Sequence, residues 1–368
     1  MIKICHLTSV HPRYDTRIFI KECISLARVG YDVILIVADG KGDEEKEGVK
    51  IIDVGLGPFG RAGRMTRTVM FVYKQALNVK ADIYHFHDPE LIPIGLLLRR
   101  HGKRVIYDVH EDVPRQNLSK SYIPTAFRKS ISAMIEIMEA FSARRFDGVV
   151  TATPFINKRF LGLGARAVNV NNYPLISELC PTENQWKQKE KAVCYVGGIA
   201  GIRGAFEMVR AIGKIGYRLF LGGEVESNIE KKLKEMPGWK NVETLGFLDR
   251  NAVKCILSRS MGGLVVLHPS INYRDGLPVK MFEYMSAGIP VIASNFPLWK
   301  EIVEGTECGI CVDPLNPEEI AGAIRWIIEH PIEAQEMGEN GRQAVLDKYN
   351  WEQESQKLLM LYEELFKQ

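Results

Sequence analysis

The period of the hydrophobic pattern changes many times along this chain, and the changes recur in one order. Residues 3–10, KICHLTSV, and 31–38, YDVILIVA, are short aliphatic and β-branched runs. Between them IFIKECISLARVG places Ile18, Phe19, Cys23, Ile24, Leu26 and Ala27 at helical spacing, with Gly30 as the stop. The opening therefore reads strand, loop (HPRYDTR), helix, strand. DIYHFH, a helix over IPIGLLLRR, RVIYDVHED, a long helix across residues 125–145, and DGVVTAT continue it. Near-continuous apolar strands predict a parallel sheet covered on both faces, an α/β doubly wound pattern. In DIYHFHDPE, His85 and His87 are read as alternating to opposite faces of a strand and are assigned no chemistry.

Prolines and polar residues interrupt the pattern at 174–191, PLISELCPTENQWKQKEK, which reads as a linker after a first domain, 1–173. A second βαβ series follows over 192–348. It runs AVCYVGG, a helix at about 203–214, YRLFLGG, a helix near 227–236, NVETLG, a helix near 250–258, GGLVVLHPS, a helix near 278–287, and PVIAS. KICHLTSV and AVCYVGGI open the two series alike, a repeat of architecture rather than of sequence. The final helix, 349–368, carries an apolar stripe of Trp351, Leu358, Leu359, Leu361, Tyr362 and Leu365, suited to docking or to a partner helix.

Length (368 residues), 46% hydrophobic and 25% charged residues suit two globular domains. No run of 18 apolar residues is present and the N-terminus lacks the apolar core of a signal peptide, so a cytoplasmic protein is expected. Charge is divided unevenly. Residues 1–175 hold 26 Lys+Arg against 18 Asp+Glu, and residues 176–368 hold 22 against 27. A basic N-terminal half suits an anionic membrane surface or a phosphorylated acceptor better than nucleic acid, and a merely solvated basic face fits equally. The basic groups are RAGRMTR (61–67), LRRHGKR (98–104), FRK (127–129) and ARR (143–145), interleaved with Met65, Val69, Met70, Phe71, Ile131, Met134 and Ile135. Together they predict reversible association with the inner face of the cell membrane. Seven cysteines at 5, 23, 180, 194, 255, 308 and 311 read as reduced thiols. Cys308 and Cys311 form a CxxC without the second pair a zinc site needs, inside what reads as a short buried strand.

The segment YRDGLPVKMFEYMSAGIPVIAS, 273–294, carries the most chemistry. His268, Pro269 and Ser270 close a buried strand, Asp275 and Gly276 make a turn, Pro278 opens a helix and Gly288 ends it. Unpaired amides at such a helix start form an anion site. Lys280 and Glu283 lie three apart on one face, which permits either an intrahelical salt bridge or separate duties toward a phosphate and toward sugar hydroxyls. Two acidic residues eight apart, followed by G-x-P-V-I-A-S, resemble the E-x7-E motif of the family-4 retaining glycosyltransferases with the GT-B fold. The resemblance assigns Asp275 to the donor sugar, Glu283 to the nucleotide ribose, and Gly276, Leu277, Pro278, Val279 and Lys280 to the diphosphate. Asp275 stands where the family has Glu and is one methylene shorter.

YVGGIAGIRGAFEMVRAI, 195–212, is similar to the family's first C-terminal strand and loop, where an Arg and a Lys embrace the diphosphate. Gly197 lies in the loop, Gly198 stands at the Arg position and Arg203 at the Lys position, so one basic ligand is lost and Lys280 is read as its replacement. The glycines do not form G-x-G-x-x-G, which argues against a dinucleotide cofactor. Phe247 and Leu248 fall in the region that cradles the base. In the N-terminal domain VIYDVHEDVP resembles the segment that brings a histidine, here His110, to the reacting centre. Glu111 and Asp112 follow as acceptor-orienting or helix-capping groups. Arg13 and Arg17, in a loop without the family's usual Gly-Gly pair, are read as reaching a phosphate or acceptor, or as solvated.

The resemblance covers nearly the whole chain. It implies two Rossmann-like doubly wound domains facing a cleft, with the final helix crossing back to the first. It also implies retaining transfer of a hexose-type residue from a nucleoside diphosphate sugar to a sugar or lipid-linked acceptor hydroxyl, in bacterial surface polysaccharide assembly. No cofactor or metal is expected, since the sequence contains no Asp-x-Asp pair; His110, Asp275, Arg203 and Lys280 form the catalytic set. Two other readings remain: a GT-B sugar-nucleotide epimerase, and a non-catalytic sugar-nucleotide-binding protein in which Gly198 and Asp275 mark lost activity.

Overall fold

A computed structural model describes residues 2–56, 63–119, 123–179 and 186–367. The chain divides into two compact units, residues 1–172 with 353–368, and residues 173–352.

The first unit is built on an eight-stranded sheet. Its strands are β1 (Lys3–Leu7), β2 (Asp32–Val37), β3 (Glu44–Lys46), β4 (Val49–Asp53), β5 (Ile83–Phe86), β6 (Arg104–Val109), β7 (Gly148–Thr151) and β8 (Ala167–Asn169). Their order is β3-β4-β2-β1-β5-β6-β7-β8, parallel except for the edge pair β3–β4. β1 lies between β2 and β5, with His6 opposite His85 in register. The order therefore reverses at the β1/β5 boundary, where ligands collect beyond the strand ends in open α/β sheets. The helix Trp351–Lys367 begins in the second unit, and its residues from 353 onward belong to the first. Leu361 sits against Gly148, where a Cβ would come within 3.3 Å of it.

The opening helix departs from the regular pattern. Thr16–Cys23 is a π-helical stretch, and only Ile24–Arg28 is α-helical. Asp15 caps it by accepting from the Arg17 and Ile18 amides, while the Ile20 amide reaches back five residues to the Asp15 carbonyl. The wider turn rotates Arg17, Lys21 and Glu22 inward, and all three are buried.

The second unit has six parallel strands: β9 (Ala192–Val196), β10 (Arg218–Gly222), β11 (Val242–Gly246), β12 (Gly262–Val265), β13 (Val291–Ser294) and β14 (Gly309–Val312). The order is β11-β10-β9-β12-β13-β14, reversing at β9/β12. Its core includes the buried Trp299, Tyr284, Phe220 and Phe282. The stretch taken as a linker contributes to this core through Leu179 and Trp186; residues 180–185, with Cys180, lie outside the described residues. Cys308 and Cys311 are free, on or beside β14.

Candidate functional site

The loop after β9 and the helix start after β12 meet at the reversal point of the second sheet. Gly197 has φ +135°, a conformation side chains rarely adopt, and its carbonyl lies 2.0 Å from where a Cβ on Gly223 would sit. Gly204 has φ +78° and lies against the Val266 carbonyl, 2.2 Å from its own would-be Cβ. Glycine is required at 223 and 204 by close backbone approach and at 197 by its φ.

The space left at 197 and 198 is filled by cations. A Cβ on Gly197 would meet Lys280 Nζ at 2.9 Å, and one on Gly198 would meet Arg203 Nη1 at 2.7 Å. Arg203 Nη1 donates to the Gly198 carbonyl at 3.2 Å. The basic group missing at position 198 is thus replaced in space by the guanidinium from position 203. Lys280 Nζ donates to Tyr195 Oη at 2.8 Å and lies 4.0 Å from that ring's centroid. Tyr195 Oη in turn donates to the Gly198 carbonyl at 3.0 Å. Burial pushes the Lys280 ammonium down to about 7, with the neighbouring Arg203 charge adding to the effect and Glu283 opposing it. Two cationic groups are held together with no carboxylate between them, an arrangement that an added anion would relieve.

The helix Val279–Ser286 begins at Pro278 with no side-chain cap, so its first amides remain available. Trp299 Nε1 donates to the Gly276 carbonyl at 2.7 Å and fixes the preceding turn. Leu277 packs against the core. Asp275 follows the short helix Ile271–Arg274, and among the described residues its carboxylate has no ion-pair partner. It lines a cavity of about 530 Å³ with Pro269, Ile271, Arg274, Pro297 and Leu298.

Glu283 does not pair with Lys280. Its Oε1 accepts from Arg250 Nη1 at 2.7 Å, and Arg250 Nε also bonds Glu178. Arg250 orients the carboxylate and is a residue the sequence reading missed, as it did Tyr195. The only sequence signal for Arg250 is its place just after NVETLGFLD. Phe247 is exposed, whereas Leu248 packs over Gly222, whose absent side chain makes the room.

In the first unit, His110 stands just beyond β6. Its Nε2 lies 3.3 Å from Asp108 Oδ2 and 3.1 Å from His87 Nδ1, and its ring stacks obliquely on His11 at 5.1 Å. It is one member of a histidine cluster rather than a lone imidazole. His85 and His87 share one face of their strand, as residues two apart must, and their rings stack at 4.9 Å. This corrects the opposite-face reading. Arg13 and Arg17 are likewise not free for an acceptor. Arg13 is buried against Asp39 (Nη2–Oδ1 2.7 Å) and Glu44, and Arg17 is buried against Asp108 (Nη2–Oδ1 3.0 Å) and Glu22 (Nε–Oε1 3.1 Å). Glu111 is exposed and bonds Gln116, while Asp112 pairs with Arg115 and Arg159.

Of the basic groups, Arg61 and the Arg64 side chain lie outside the described residues. Met65, Met70, Phe71 and Met134 are exposed; Val69, Ile131 and Ile135 are partly buried. Among the described residues no helix is long and apolar enough to cross a membrane.

Two family models match successive parts of the chain. Residues 20–171 match the family described as Glycosyltransferase Family 4, and residues 178–344 match Glycosyl transferases group 1. D-rhamnosyltransferase WbpZ of Pseudomonas aeruginosa is 25% identical over 291 residues, covering 73% of this chain and 70% of that protein. Among solved structures, sucrose-phosphate synthase of Thermosynechococcus elongatus superposes with TM-score 0.80 at 19% identity, covering 100% of this chain and 99% of the other. Anabaena HepE in complex with UDP-glucose gives TM-score 0.73 at 13% identity, with 100% of both chains covered. Two parallel-sheet units, the motif residues at the second reversal point and these two family matches place the chain among the family-4 glycosyltransferases of GT-B type.

Proposed function

We propose that this glycosyltransferase transfers a sugar, with retention, from a nucleoside diphosphate sugar to an acceptor hydroxyl in bacterial surface glycan assembly, and needs no metal ion on the diphosphate. The observation that carries the reading is the convergence of Lys280 Nζ and Arg203 Nη1 on the glycines after β9, beside an uncapped helix start. That set of fixed positive groups suits a departing diphosphate, whose charge grows as the glycosidic bond breaks. Asp275, facing a cavity of about 530 Å³, is assigned to the donor sugar. Glu283, steadied by Arg250, takes the ribose, and Leu248 supports the base. His110 is assigned a catalytic role, with Asp108 orienting its ring. A relative such as D-rhamnosyltransferase WbpZ and the HepE complex with UDP-glucose support the choice of a sugar nucleotide.

The test is mass spectrometry of products after the enzyme meets mixed sugar nucleotides and lipid-linked acceptors. A retained glycoside plus nucleoside diphosphate is expected, at a rate unchanged by added Mg²⁺ or brief chelation. Donor turnover without any acceptor would point to the epimerase, and tight donor binding without nucleotide release to a binding protein.

We place the work at the cytoplasmic membrane surface. The helix Thr125–Ala143 exposes Phe127, Met134, Ile137 and Phe141 beside Arg128, Lys129, Arg144 and Arg145. Apolar residues flanked by basic ones suit an anionic bilayer, at about 1 kcal/mol for each basic residue near the surface. Sedimentation with phosphatidylglycerol vesicles should show binding that falls with salt; no binding at low salt would favour a soluble acceptor.

A further inference from the structure

We propose that His6, His85, His87 and Glu22 form a buried divalent-cation site in the first unit, with the donor chemistry that selects Zn²⁺. Three imidazoles and one carboxylate supply four donors, the number that closes a tetrahedral zinc site. They come from three places in the fold: His6 from β1, His85 and His87 from β5 and its end, and Glu22 from the π-helical turn. All four are fully buried or nearly so, and their ligand atoms lie within 4.8 Å of one another.

Three separations define the centre. His6 Nδ1 lies 2.9 Å from His87 Nε2, and Glu22 Oε2 lies 3.9 Å from the first and 4.0 Å from the second. The point about 2.1 Å from all three atoms lies in their plane, so a tetrahedral ion requires the His6 and His87 nitrogens to move apart as it binds.

The surrounding hydrogen bonds prepare the lone pairs. Tyr362 Oη lies 2.8 Å from His85 Nδ1 and 3.3 Å from His6 Nε2. Accepting from the closer ring N–H, that of His85, the hydroxyl fixes the tautomer that leaves His85 Nε2 unprotonated. Asp108 Oδ2, 3.4 Å from His87 Nδ1, does the same for His87 and leaves its Nε2 free to ligate.

A chain of hydrogen bonds is the competing account. His110 Nε2–H would donate to His87 Nδ1 and His87 Nε2–H to His6 Nδ1. It satisfies those nitrogens but leaves His85 Nε2 and Glu22 Oε2 buried without a hydrogen bond, while Glu22 Oε1 faces Arg17 Nε at 3.1 Å. Buried polar atoms with nothing to bind are costly, and a cation at the centre gives His85 Nε2 and Glu22 Oε2 a partner. Charge agrees with this. Arg17 is shared between Asp108, through two hydrogen bonds, and Glu22 Oε1 at 3.1 Å, so two acidic side chains face one guanidinium there. With four protein donors and no open position the site is structural, tying β1, β5 and the opening turn together. It contains no residue of the second unit and is separate from the diphosphate groups.

The full chain should be expressed with zinc in the medium, dialysed, and assayed by elemental mass spectrometry. About one zinc per chain is expected, with X-ray absorption showing nitrogen and oxygen neighbours at about 2.0–2.1 Å. Protein produced with Co²⁺ instead should show the visible absorption of a tetrahedral ion, a readout independent of activity. Tyr362→Phe should weaken zinc affinity by about tenfold or more through loss of the tautomer-fixing hydroxyl, and His85→Gln should abolish it in chain that still folds by circular dichroism. Wild-type chain that holds no zinc and gives no cobalt spectrum would overturn the site, as would imidazole N–H resonances showing His6 Nδ1 bonded to a proton from His87.

Discussion

The two sheets reverse their strand order in the same way and use the space beyond the strands in opposite ways. At β1/β5 it is filled with side chains: four histidines, Glu22, Arg17 and Asp108, most of them fully buried. At β9/β12 glycines make room that Lys280 Nζ and Arg203 Nη1 occupy, with no carboxylate between those two among the described residues. One region packs buried groups of both signs against one another, and the other holds positive charge in reserve for a ligand. A shared architecture therefore does not fix which end binds phosphate; the side chains after each strand decide it.

The largest effect should come from breaking the buried charged region of the first sheet. Arg17→Ala strips Asp108 and Glu22 of their cation in a buried setting and should cost about 3–5 kcal/mol of stability, read by urea denaturation. A loss below about 1 kcal/mol would mean these charges are solvated.

At the second sheet Arg203→Ala should leave stability nearly unchanged yet lower kcat by about 10²–10³-fold, with a smaller change in donor affinity, because the charge it meets develops during reaction. Wild-type turnover would remove Arg203 from the site. Glu283→Ala should weaken donor binding by about 2–3 kcal/mol through loss of a charged acceptor. Unchanged affinity in folded variant would end the ribose assignment.

The smallest effect, and the most diagnostic of stored charge, concerns pH. In the free enzyme Lys280 loses its proton near pH 7, while a bound diphosphate holds the proton on. Binding above pH 7 therefore takes up a proton, and affinity should fall by up to about tenfold per pH unit. Lys280→Met should be weaker at pH 6 and flat above pH 7 by calorimetry. A wild-type slope of zero would place Lys280 away from the phosphates.

Much of the fold was legible because buried parallel strands read as unbroken apolar runs and helices such as 250–259 and 279–286 carry their own start signals. The motif residues after β12 were legible for the same reason, being local in sequence. What stayed hidden depends on partners far apart in the chain. Arg17 meets Asp108 across 91 residues and Arg250 meets Glu283 across 33, and nothing local distinguishes such arginines from solvated ones. The π-helical turn hid Glu22, since an ordinary helical wheel does not bring Arg17, Lys21 and Glu22 inward together. Two-residue spacing in HFH did contain the signal that His85 and His87 share a face.

Titration of UDP and GDP into wild type and the Arg203→Ala/Lys280→Met double variant reads the diphosphate site itself. Saturable binding of at least one nucleotide by the wild type is expected, with at least about tenfold weaker binding by the folded double variant. Equal affinities would contradict it and move the diphosphate away from the glycines after β9.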